Sequence, residues 1–296
     1  MVSIAQTALN TRPLSPVMGL IVDDIDLSVP LDAATASAIR TALADNSLLL
    51  FRNQHKLSAE SHVRFSALFG ELEKHVLSQF CLADHPEIFV VSNIVENGRH
   101  IGAHGGSKFY HSDLAYLPEP SMGSVFRCLE CPQAGGETAF ISMFKVFDAL
   151  SDERKHWLSE RSVVFDYVWD YERRFTGLRD PLTEAQKDAV PPLQQPCIRV
   201  HPENGRAALY VSPTWVRRFT DMSDAESRPL LDELMEFACQ DRFAYYHRWS
   251  VGDVLVWDNR SSMHKVCDYD ATNTRRLMHR TTIKGDRPIR WQAAAA

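Results

Sequence analysis

The stretch Arg275-Arg276-Leu277-Met278-His279-Arg280-Thr281-Thr282-Ile283 is typical of a long β-strand near the end of the chain. Successive side chains of a strand point to opposite faces, so Arg276 and Arg280 share one face. Their Cα atoms should lie about 13 Å apart at a rise of about 3.3 Å per residue, too far for both to hold one carboxylate. An inward guanidinium needs an anionic partner, and a bidentate carboxylate is well suited to it. The stretch therefore predicts two anion sites, or one anion site and one surface arginine.

The residues before this stretch predict another strand and a candidate metal ligand. Val254–Trp257 is an apolar run typical of a buried strand. Ser250–Asp253 predicts a turn that joins Tyr245–Trp249 to this strand as a hairpin. His264 lies between the buried strand and the arginine stretch, which makes it the best candidate for a distant metal ligand.

Elsewhere, short strand patterns are mixed with helical ones. Helices are predicted over Ala33–Ala44, with Asp32 as the N-cap, and from Ser58 to Gly70. Further helices are predicted at Ser142–Leu150, Asp152–Arg161 and Asp224–Cys239, and further strands at Gly19–Val22, Ser47–Phe51, Ile88–Val91, Ser124–Cys128 and Ala207–Val211. Many short strands with peripheral helices indicate a β-rich α+β fold, with a double-sheet core of the jelly-roll or cupin type.

Length and composition limit the class of protein. The chain has 296 residues and is 45% hydrophobic, enough for a substantial core, and we expect residues 1–296 to form one domain. The longest irregular stretch is Tyr171–Pro196, so the segment around residues 165–200 is expected to be an insertion or a lid loop. We also expect the chain to form a homo-oligomer.

Charge and cysteine usage indicate the partners and the compartment. The net charge of -6, without a long Lys/Arg cluster, argues against nucleic acid as a partner, and the lack of a long apolar run argues against a membrane span. Six scattered cysteines indicate a reduced, cytoplasmic protein. Cys128 and Cys131 form a close pair, but no second pair is present to complete a zinc site.

The pattern His111-Ser112-Asp113 supplies a possible metal-binding pair. On a strand, His111 and Asp113 would point to the same face, roughly 7 Å apart. With His264 they would complete the facial triad of two histidines and one carboxylate that binds ferrous iron and leaves open positions. The pattern alone is weak, because His85-Pro86-Glu87 and His201-Pro202-Glu203 have a similar form. Both alternatives contain proline, which disfavours a central strand.

These motifs together resemble the taurine/2,4-D dioxygenase family of Fe(II)- and 2-oxoglutarate-dependent oxygenases. The resemblance covers most of the chain and depends on the order and spacing of the motifs. The motifs are Ser47–Gln54, Phe65–Gly70, His111–Asp113, Gly135–Thr138, Trp257–Arg260, His264, Asp268–Tyr269 and Arg276–Arg280. The resemblance implies a double-stranded β-helix with helices packed outside, and it implies that Fe(II), 2-oxoglutarate and O2 are used.

The resemblance also implies roles for individual residues. His111, Asp113 and His264 would bind iron, while Thr138 and Arg276 would hold the remote carboxylate of 2-oxoglutarate. Three residues would contact the primary substrate. Arg280 would hold the anionic end of the substrate, and His75 and Ser107 would be further contacts. The last two match the positions of a histidine and an asparagine that contact the sulfonated amine in taurine dioxygenase. The loop between His264 and Arg276 is one residue longer than in taurine dioxygenase, which leaves Arg275 as an alternative ligand of 2-oxoglutarate. The Arg-x-Met-x-Arg register favours Arg276.

The implied substrate is a small organic anion. Segments around Thr183–Pro192 and Tyr246–Asp253 look closer to the phenoxyacetate-cleaving branch of the family than to taurine dioxygenase. We therefore expect hydroxylation of a small organic acid such as an aryloxyalkanoate, with ether cleavage, succinate and carbon dioxide as outcomes. Two alternatives stay open: an alkylsulfonate dioxygenase that releases sulfite, and a cupin-like metal-binding protein without turnover.

Overall fold

The computed structural model describes residues 9–75, 77–104, 107–177 and 180–293. The α-helices are α1 (Ala33–Asn46), α2 (Ala59–Ser66), α3 (Met143–Asp148), α4 (Asp152–Ser159), α5 (Tyr167–Phe175), α6 (Glu184–Asp188) and α7 (Asp224–Ala238). The strands are β1 (Thr11–Pro13), β2 (Leu20–Val22), β3 (Leu48–Phe51), β4 (Phe89–Ser92), β5 (Val95–Glu96), β6 (Arg99–His100), β7 (Gly123–Glu130), β8 (Thr138–Ser142), β9 (Ser162–Phe165), β10 (Leu193–Pro196), β11 (Ile198–Val200), β12 (Ala207–Leu209), β13 (Val216–Phe219), β14 (Ala244–His247), β15 (Val254–Asp258), β16 (Ser262–Val266), β17 (Leu277–Ile283) and β18 (Ile289–Arg290). The described part of the chain is therefore a β-rich mixture of strands and helices.

A seven-stranded sheet has the order β1-β2-β3-β15-β7-β17-β4. Helices α1 and α2 cover one of its faces, where Ile39 and Phe65 pack against Leu49, Val256 and other buried residues of the sheet. Helix α1 begins where predicted, since the side chain of Asp32 accepts a hydrogen bond from the backbone N–H of Thr35. Helix α2 ends at Ser66 rather than at Gly70, because only turns follow it.

The other face of this large sheet packs against a smaller sheet of order β14-β8-β16. Their shared core contains Phe126 and Trp257 from the large sheet and Phe140 from β8. The ring centroid of Trp257 lies 5.7 Å from that of Phe126 and 5.8 Å from that of Phe140. The two sheets thus face one another across a layer of aromatic side chains.

The predicted hairpin between Tyr245–Trp249 and Val254–Trp257 is wrong. Both segments are strands, but β14 pairs with β8 in the small sheet, and β15 pairs with β3 and β7 in the large sheet. The turn itself is present, with the N–H of Asp253 donating to the carbonyl of Ser250. It carries the chain from one sheet to the other, since every residue of β15 is buried and needs a neighbour on each side.

A third cluster of buried side chains lies beside the two facing sheets. It packs α3 and α7 against two three-stranded sheets, of order β10-β9-β13 and β12-β11-β18. The stretch predicted as irregular, Tyr171–Pro196, contains the end of α5, helix α6 and strand β10. Its helix α6 begins with a capping box between Thr183 and Gln186, a local signal that the prolines in the stretch obscured. Residues 178 and 179 of this stretch lie outside the described residues.

No helix in the described ranges is both long enough and apolar enough to cross a membrane. All six cysteines are free thiols.

Candidate active site

Three potential metal ligands, His111, Asp113 and His264, lie together where the two sheets meet. Each offers one ligand atom, and these atoms all lie within 4.8 Å of one another. Nε2 of His111 is 3.7 Å from Oδ1 of Asp113, and Nε2 of His264 is 3.9 Å from Oδ2 of the same carboxylate. The structure therefore brings together the three residues that the sequence indicated.

A backbone bridge places the two histidines side by side. His264 lies in β16, and its N–H donates to the carbonyl of His111 over 2.8 Å, while the N–H of His111 donates back over 3.1 Å. Residues paired in this way have side chains on the same face of the ladder. The two imidazole centroids are accordingly 4.4 Å apart.

Asp113 reaches the site through a turn and not along a strand, which the same-face argument for His111 and Asp113 had assumed. Only His111 forms a bridge, and the chain turns at Asp113, with Leu114 at a φ of 56°. Two hydrogen bonds hold the turn: the N–H of Asp113 donates to Oδ1 of Asn259, and the hydroxyl of Ser112 donates to the backbone of β16. The carboxylate faces the histidines because of this turn rather than because of strand alternation.

The charges at the site suit a divalent metal. Burial penalises the charge on Asp113, but Arg280, His264 and His111 outweigh this penalty and hold the pKa of Asp113 well below its usual range. Burial lowers the pKa of His264 to about 3 and also lowers the pKa of His111. Two neutral imidazoles and one carboxylate are the protonation states that bind a metal.

Neighbouring groups orient the ligands. Nδ1 of His111 lies 3.0 Å from the carbonyl of Phe109, which favours a proton on Nδ1 and leaves Nε2 for a metal. The hydroxyl of Ser124 donates to Oδ2 of Asp113 over 3.3 Å. The indole ring of Trp257 lies 4.7 Å from the ring of His264. A set of two imidazoles and one carboxylate on one side, with room beside it, fits non-haem Fe(II).

The other two His-x-carboxylate patterns lie elsewhere. His201 is fully buried, with Nε2 3.0 Å from Oδ2 of Asp258, and Asp258 is itself paired with Arg260. Glu203 pairs with the same arginine at 2.7 Å. His201 and Glu203 are therefore part of an internal ion-pair network, and His85 lies in the loop before β4.

A cavity of about 450 Å³ extends from the metal ligands between the two sheets. Most of its lining is apolar, and arginine side chains enter it at two points. The lining residues used below are Phe89, Ser107, Phe126, Thr138, Trp257, Arg276 and Arg280. A space of this size suits a small ligand that is largely enclosed.

Thr138 and Arg276 are both buried in this wall. Thr138 is the first residue of β8, and its Oγ1 accepts a hydrogen bond from Nε1 of Trp249 over 3.0 Å. Arg276 is 4% exposed, and burial lowers the pKa of its guanidinium. Its Nε has no hydrogen-bond partner among the described residues, and its guanidinium lies over the ring of Phe126. A buried guanidinium with an unused donor fits a carboxylate ligand.

The two candidate arginines of the Arg275-Arg276 pair point in different directions. Arg275 is exposed, and its guanidinium pairs with both carboxylate oxygens of Glu130, at 2.7 and 3.1 Å. Arg276 faces the cavity, and the loop before it is tied down by Asn93. The side-chain amide of Asn93 donates to the carbonyls of Ala271 and Thr274, and its Oδ1 accepts from the N–H of Arg276.

Arg280 lies closer to the metal ligands than Arg276. Its Nη1 is 3.5 Å from Oδ1 of Asp113, and its guanidinium lies over the ring of Phe89. His75 stacks on the same ring, with centroids 3.9 Å apart, and does not itself line the cavity. Burial, followed by the charge of Arg280, lowers the pKa of His75 to about 4, so this imidazole is neutral near pH 7. Ser107 lines the cavity, and its hydroxyl donates to the carbonyl of Phe109.

The sequence did not indicate the aromatic residues beside His111. Trp215 lies edge-on to the His111 ring at 5.6 Å, and Tyr116 lies 5.0 Å from Trp215. Trp215 has a φ of 66°, an uncommon conformation for a bulky residue that is associated with functional sites. A tryptophan shortly after the predicted strand Ala207–Val211 was a weak signal, because nothing in the sequence linked it to His111.

The fold and the site define a metal-binding class of protein, in which two histidines and one aspartate that could hold a single metal ion lie beside a cavity. The family to which the chain belongs is shown by its similarity to known proteins. Residues 10–282 match the family described as taurine catabolism dioxygenase TauD, TfdA family, and the chain belongs to this family.

The chain is also similar over most of its length to individual members of known name or structure. An alpha-ketoglutarate-dependent 2,4-dichlorophenoxyacetate dioxygenase of Cupriavidus pinatubonensis is 31% identical over 285 residues, covering 92% of this chain and 96% of the relative. A pentalenolactone F synthase of Streptomyces arenae is 29% identical over 94% of this chain and 96% of its own length. The crystal structure of AAD-2 in complex with Mn(II) and N-oxalylglycine has a TM-score of 0.79 and 29% identity, covering 95% of this chain and 99% of that chain.

The protein is therefore an enzyme, an oxidoreductase of the dioxygenase class that uses Fe(II), 2-oxoglutarate and O2. The alternative of a cupin-like protein without turnover is not supported. The relatives do not share one substrate, so family membership alone leaves the substrate open.

Proposed function

We propose that this dioxygenase oxidises a small organic acid whose anionic end is held by Arg280 beside the metal ligands. The observation that carries the proposal is the position of Arg280 in the cavity wall, with Nη1 3.5 Å from Oδ1 of Asp113. Its Nε has no hydrogen-bond partner among the described residues, so the guanidinium has a donor left for an anion. An anion held there would bring the adjacent carbon close to the metal.

In the same proposal, Thr138 and Arg276 hold the remote carboxylate of 2-oxoglutarate. Both line the cavity, and both have hydrogen-bonding capacity that the described residues leave unused. His111, Asp113 and His264 hold the Fe(II). The cosubstrate and the substrate thus have separate anion partners, as the spacing of the arginine stretch predicts.

Fe(II) with 2-oxoglutarate and O2 supplies an oxidant for a substrate C–H bond, with succinate and carbon dioxide as products. The residues of this chain position the reacting groups and exclude water. Phe89, Phe126 and Trp257 contribute apolar surface to the wall of the cavity that holds these groups. Removal of water from this region strengthens each charge-assisted hydrogen bond within it.

We infer that the substrate is an aryloxyalkanoate. The aromatic ring of Phe89 lies in the wall directly beside Arg280, which suits an acid that carries a planar apolar group. A relative 31% identical to this chain is a dioxygenase of 2,4-dichlorophenoxyacetate. Hydroxylation of the carbon that bears the ether oxygen gives an unstable product, so the net reaction on such a substrate would be ether cleavage.

The second candidate is an alkylsulfonate dioxygenase that releases sulfite. Its support is His75, a polar group that stacks on the same Phe89 ring as Arg280 without itself lining the cavity. Ser107 would replace the asparagine that contacts the amine in taurine dioxygenase, and its hydroxyl already donates to Phe109. Because the Ser107 hydroxyl already donates this hydrogen bond, it is a poor replacement for that asparagine, which favours a carboxylic acid over taurine as the substrate.

A product assay separates the two substrate classes. The Fe(II)-loaded enzyme is given 2-oxoglutarate, O2 and a panel of aryloxyalkanoates and alkylsulfonates, and succinate, phenol and sulfite are measured. We expect phenol and succinate in equal amounts from an aryloxyalkanoate. Sulfite from the sulfonates, without phenol from any ether acid, would overturn the substrate assignment.

A charge-removing variant tests the role of Arg280. Arg280→Ala should raise the KM for the organic acid by on the order of 100-fold, because a bidentate charge-assisted contact is lost. Arg287→Ala, at an exposed arginine that pairs loosely with Glu119, should leave this KM unchanged. An equal effect of both variants, or none from Arg280→Ala, would reject Arg280 as the clamp.

We also propose how the chain is organised. The two facing sheets would form the double-stranded β-helix of the jelly-roll or cupin type, within one domain spanning residues 1–296. The segment around residues 165–200 would be an insertion that acts as a lid. The free cysteines support a cytoplasmic protein, and light scattering during gel filtration would test the expected homo-oligomer.

A further inference from the structure

Trp249 contacts the wall of the cavity from behind. It follows β14, it is 6% exposed, and its Nε1 donates to Oγ1 of Thr138 over 3.0 Å. The two residues are close because β14 pairs with β8, with His247 opposite Thr138. Trp249 does not itself line the cavity.

This hydrogen bond restricts what the hydroxyl of Thr138 can do. A threonine hydroxyl has one proton to donate and two lone pairs that accept. The indole of Trp249 is a donor only, so it occupies a lone pair and leaves the proton. Among the described residues, none accepts a hydrogen bond from this hydroxyl, and Thr138 is 4% exposed and lies in the cavity wall. The proton is thus available to an anion in the cavity.

Trp249 is itself held firmly. Its ring lies edge-on to Phe126, with centroids 5.4 Å apart, and edge-on to His247 at 4.4 Å. Phe126 also lies under the guanidinium of Arg276, at 5.7 Å from its centroid. One buried indole therefore contacts Thr138 directly and also the ring beneath Arg276, and both Thr138 and Arg276 line the cavity.

We propose that Trp249 is a positioning residue for 2-oxoglutarate: its indole N–H fixes the hydroxyl of Thr138 as a donor to the remote carboxylate. This inference rests on the proposed function, in which Thr138 and Arg276 hold that carboxylate. Trp249 acts through Thr138 and does not touch the cosubstrate. Its loss should weaken cosubstrate binding while the chemical step and the binding of the organic acid are retained.

The test is a double-mutant cycle on 2-oxoglutarate binding. Trp249→Phe keeps the ring and removes the donor, and Thr138→Val removes the hydroxyl. The dissociation constant for the cosubstrate is measured by calorimetry on the Mn(II)-loaded protein, where no turnover occurs. Each single variant should weaken binding by on the order of 5- to 10-fold. Trp249→Phe should add less than about 2-fold in the Thr138→Val background, because the two act as one unit.

Two controls separate positioning from loss of structure. Trp157→Phe removes an indole N–H from α4, where the ring packs on Phe219, and should leave the dissociation constant unchanged. Thr138→Ser keeps the hydroxyl and should restore binding close to that of the natural protein. In steady-state assays, Trp249→Phe should raise the KM for the cosubstrate and leave kcat and the KM for the organic acid within about 2-fold.

A readout on the natural protein covers the case in which Trp249→Phe does not fold. In 15N-labelled protein, the indole N–H signal of Trp249 should move when 2-oxoglutarate is added, and it should not move in Thr138→Val. The signal is identified as the indole resonance displaced by Thr138→Val itself. An indole signal that is insensitive to 2-oxoglutarate in the natural protein would overturn the inference.

The outcomes also distinguish this inference from the proposed function. If Thr138→Val leaves 2-oxoglutarate binding unchanged, the proposed role of Thr138 fails, and the role of Trp249 fails with it. If Thr138→Val weakens binding but Trp249→Phe does not, or if the two effects are additive, only the inference about Trp249 is overturned.

Discussion

At the scale of single residues, the neighbours Arg275 and Arg276 have opposite surroundings. Arg275 is exposed and paired with Glu130, whereas Arg276 is buried, with an Nε that has no partner among the described residues. An exposed ion pair contributes little to stability, whereas a buried guanidinium without an anion is costly. The surroundings of Arg276 are therefore best explained by a ligand that carries a carboxylate.

This difference gives a paired prediction. Arg276→Ala should weaken 2-oxoglutarate binding by on the order of 100-fold, because the main charge-assisted contact is lost. Arg275→Ala should change it by less than about 2-fold, since Arg275 does not line the cavity. Calorimetric titration of both Mn(II)-loaded variants with 2-oxoglutarate is the measurement. Similar effects of the two substitutions would reject Arg276 as the specific partner of the cosubstrate carboxylate.

A buried histidine makes stability depend on pH. Burial, followed by the charge of His279, lowers the pKa of His62 to about 3, and its Nε2 lies 3.3 Å from the carbonyl of Val125. The unfolded chain binds this proton more tightly than the folded one, with a pKa of about 6.5. Stability from neutral His62 is therefore complete above about pH 6.5 and is lost as the pH falls toward about 3.

Urea unfolding at several pH values tests this effect. We expect the free energy of unfolding to fall between about pH 6.5 and about pH 4, and the fall to be shallower in His62→Gln by up to roughly 1.4 kcal/mol per pH unit. Parallel curves for the two proteins would contradict the low pKa of His62.

At the scale of elements, the sequence predicted most strands and helices but not which strands pair. The apolar content of Val254–Trp257 is determined locally, and so is the turn before it. The choice between a hairpin and a crossover to the second sheet depends on distant neighbours, here β3 and β7 on either side of β15. In the same way, the His111–Asp113 segment looked like a strand, but its turn depends on a hydrogen bond to Asn259, which is far away in the sequence.

The loop before β17 depends on another side chain that the sequence did not single out. Asn93, directly after β4, makes three hydrogen bonds to the loop at 2.7 to 2.8 Å, including one to the backbone of Arg276. Because these bonds position Arg276, Asn93→Ala should raise the KM for the cosubstrate by about 10-fold, with little change in the KM for the organic acid. Steady-state kinetics would check this split.

Asn204 offers a matched control for Asn93. It also ties down a loop, through its side-chain bonds to Ala44 and Arg206, but it lies away from the cavity. Asn204→Ala should leave both KM values unchanged. A rise in the cosubstrate KM in Asn204→Ala as large as in Asn93→Ala would point to general destabilisation instead.

At the scale of the whole molecule, the two facing sheets bring distant parts of the chain to one cavity. Metal ligands come from residues 111–113 and from β16, one proposed anion site lies on β8 and before β17, and the other lies on β17. The metal ligands and the two arginines stand out in the sequence by type and spacing, whereas Thr138 was assigned only through the resemblance to the family. The sequence did not indicate Trp215, Tyr116, Asn93 or Trp249, because their positions depend on packing between elements that the sequence does not pair.

The most direct test of the function is substrate-stimulated turnover by the intact enzyme. Protein loaded with Fe(II) and 2-oxoglutarate without oxygen is exposed to O2 with and without an aryloxyalkanoate, and succinate and oxidised acid are quantified. We predict that the acid increases succinate formation at least about 10-fold and that one succinate forms per acid oxidised. Succinate formation that no organic acid stimulates, or a failure to bind 2-oxoglutarate before oxygen is added, would contradict the proposed function.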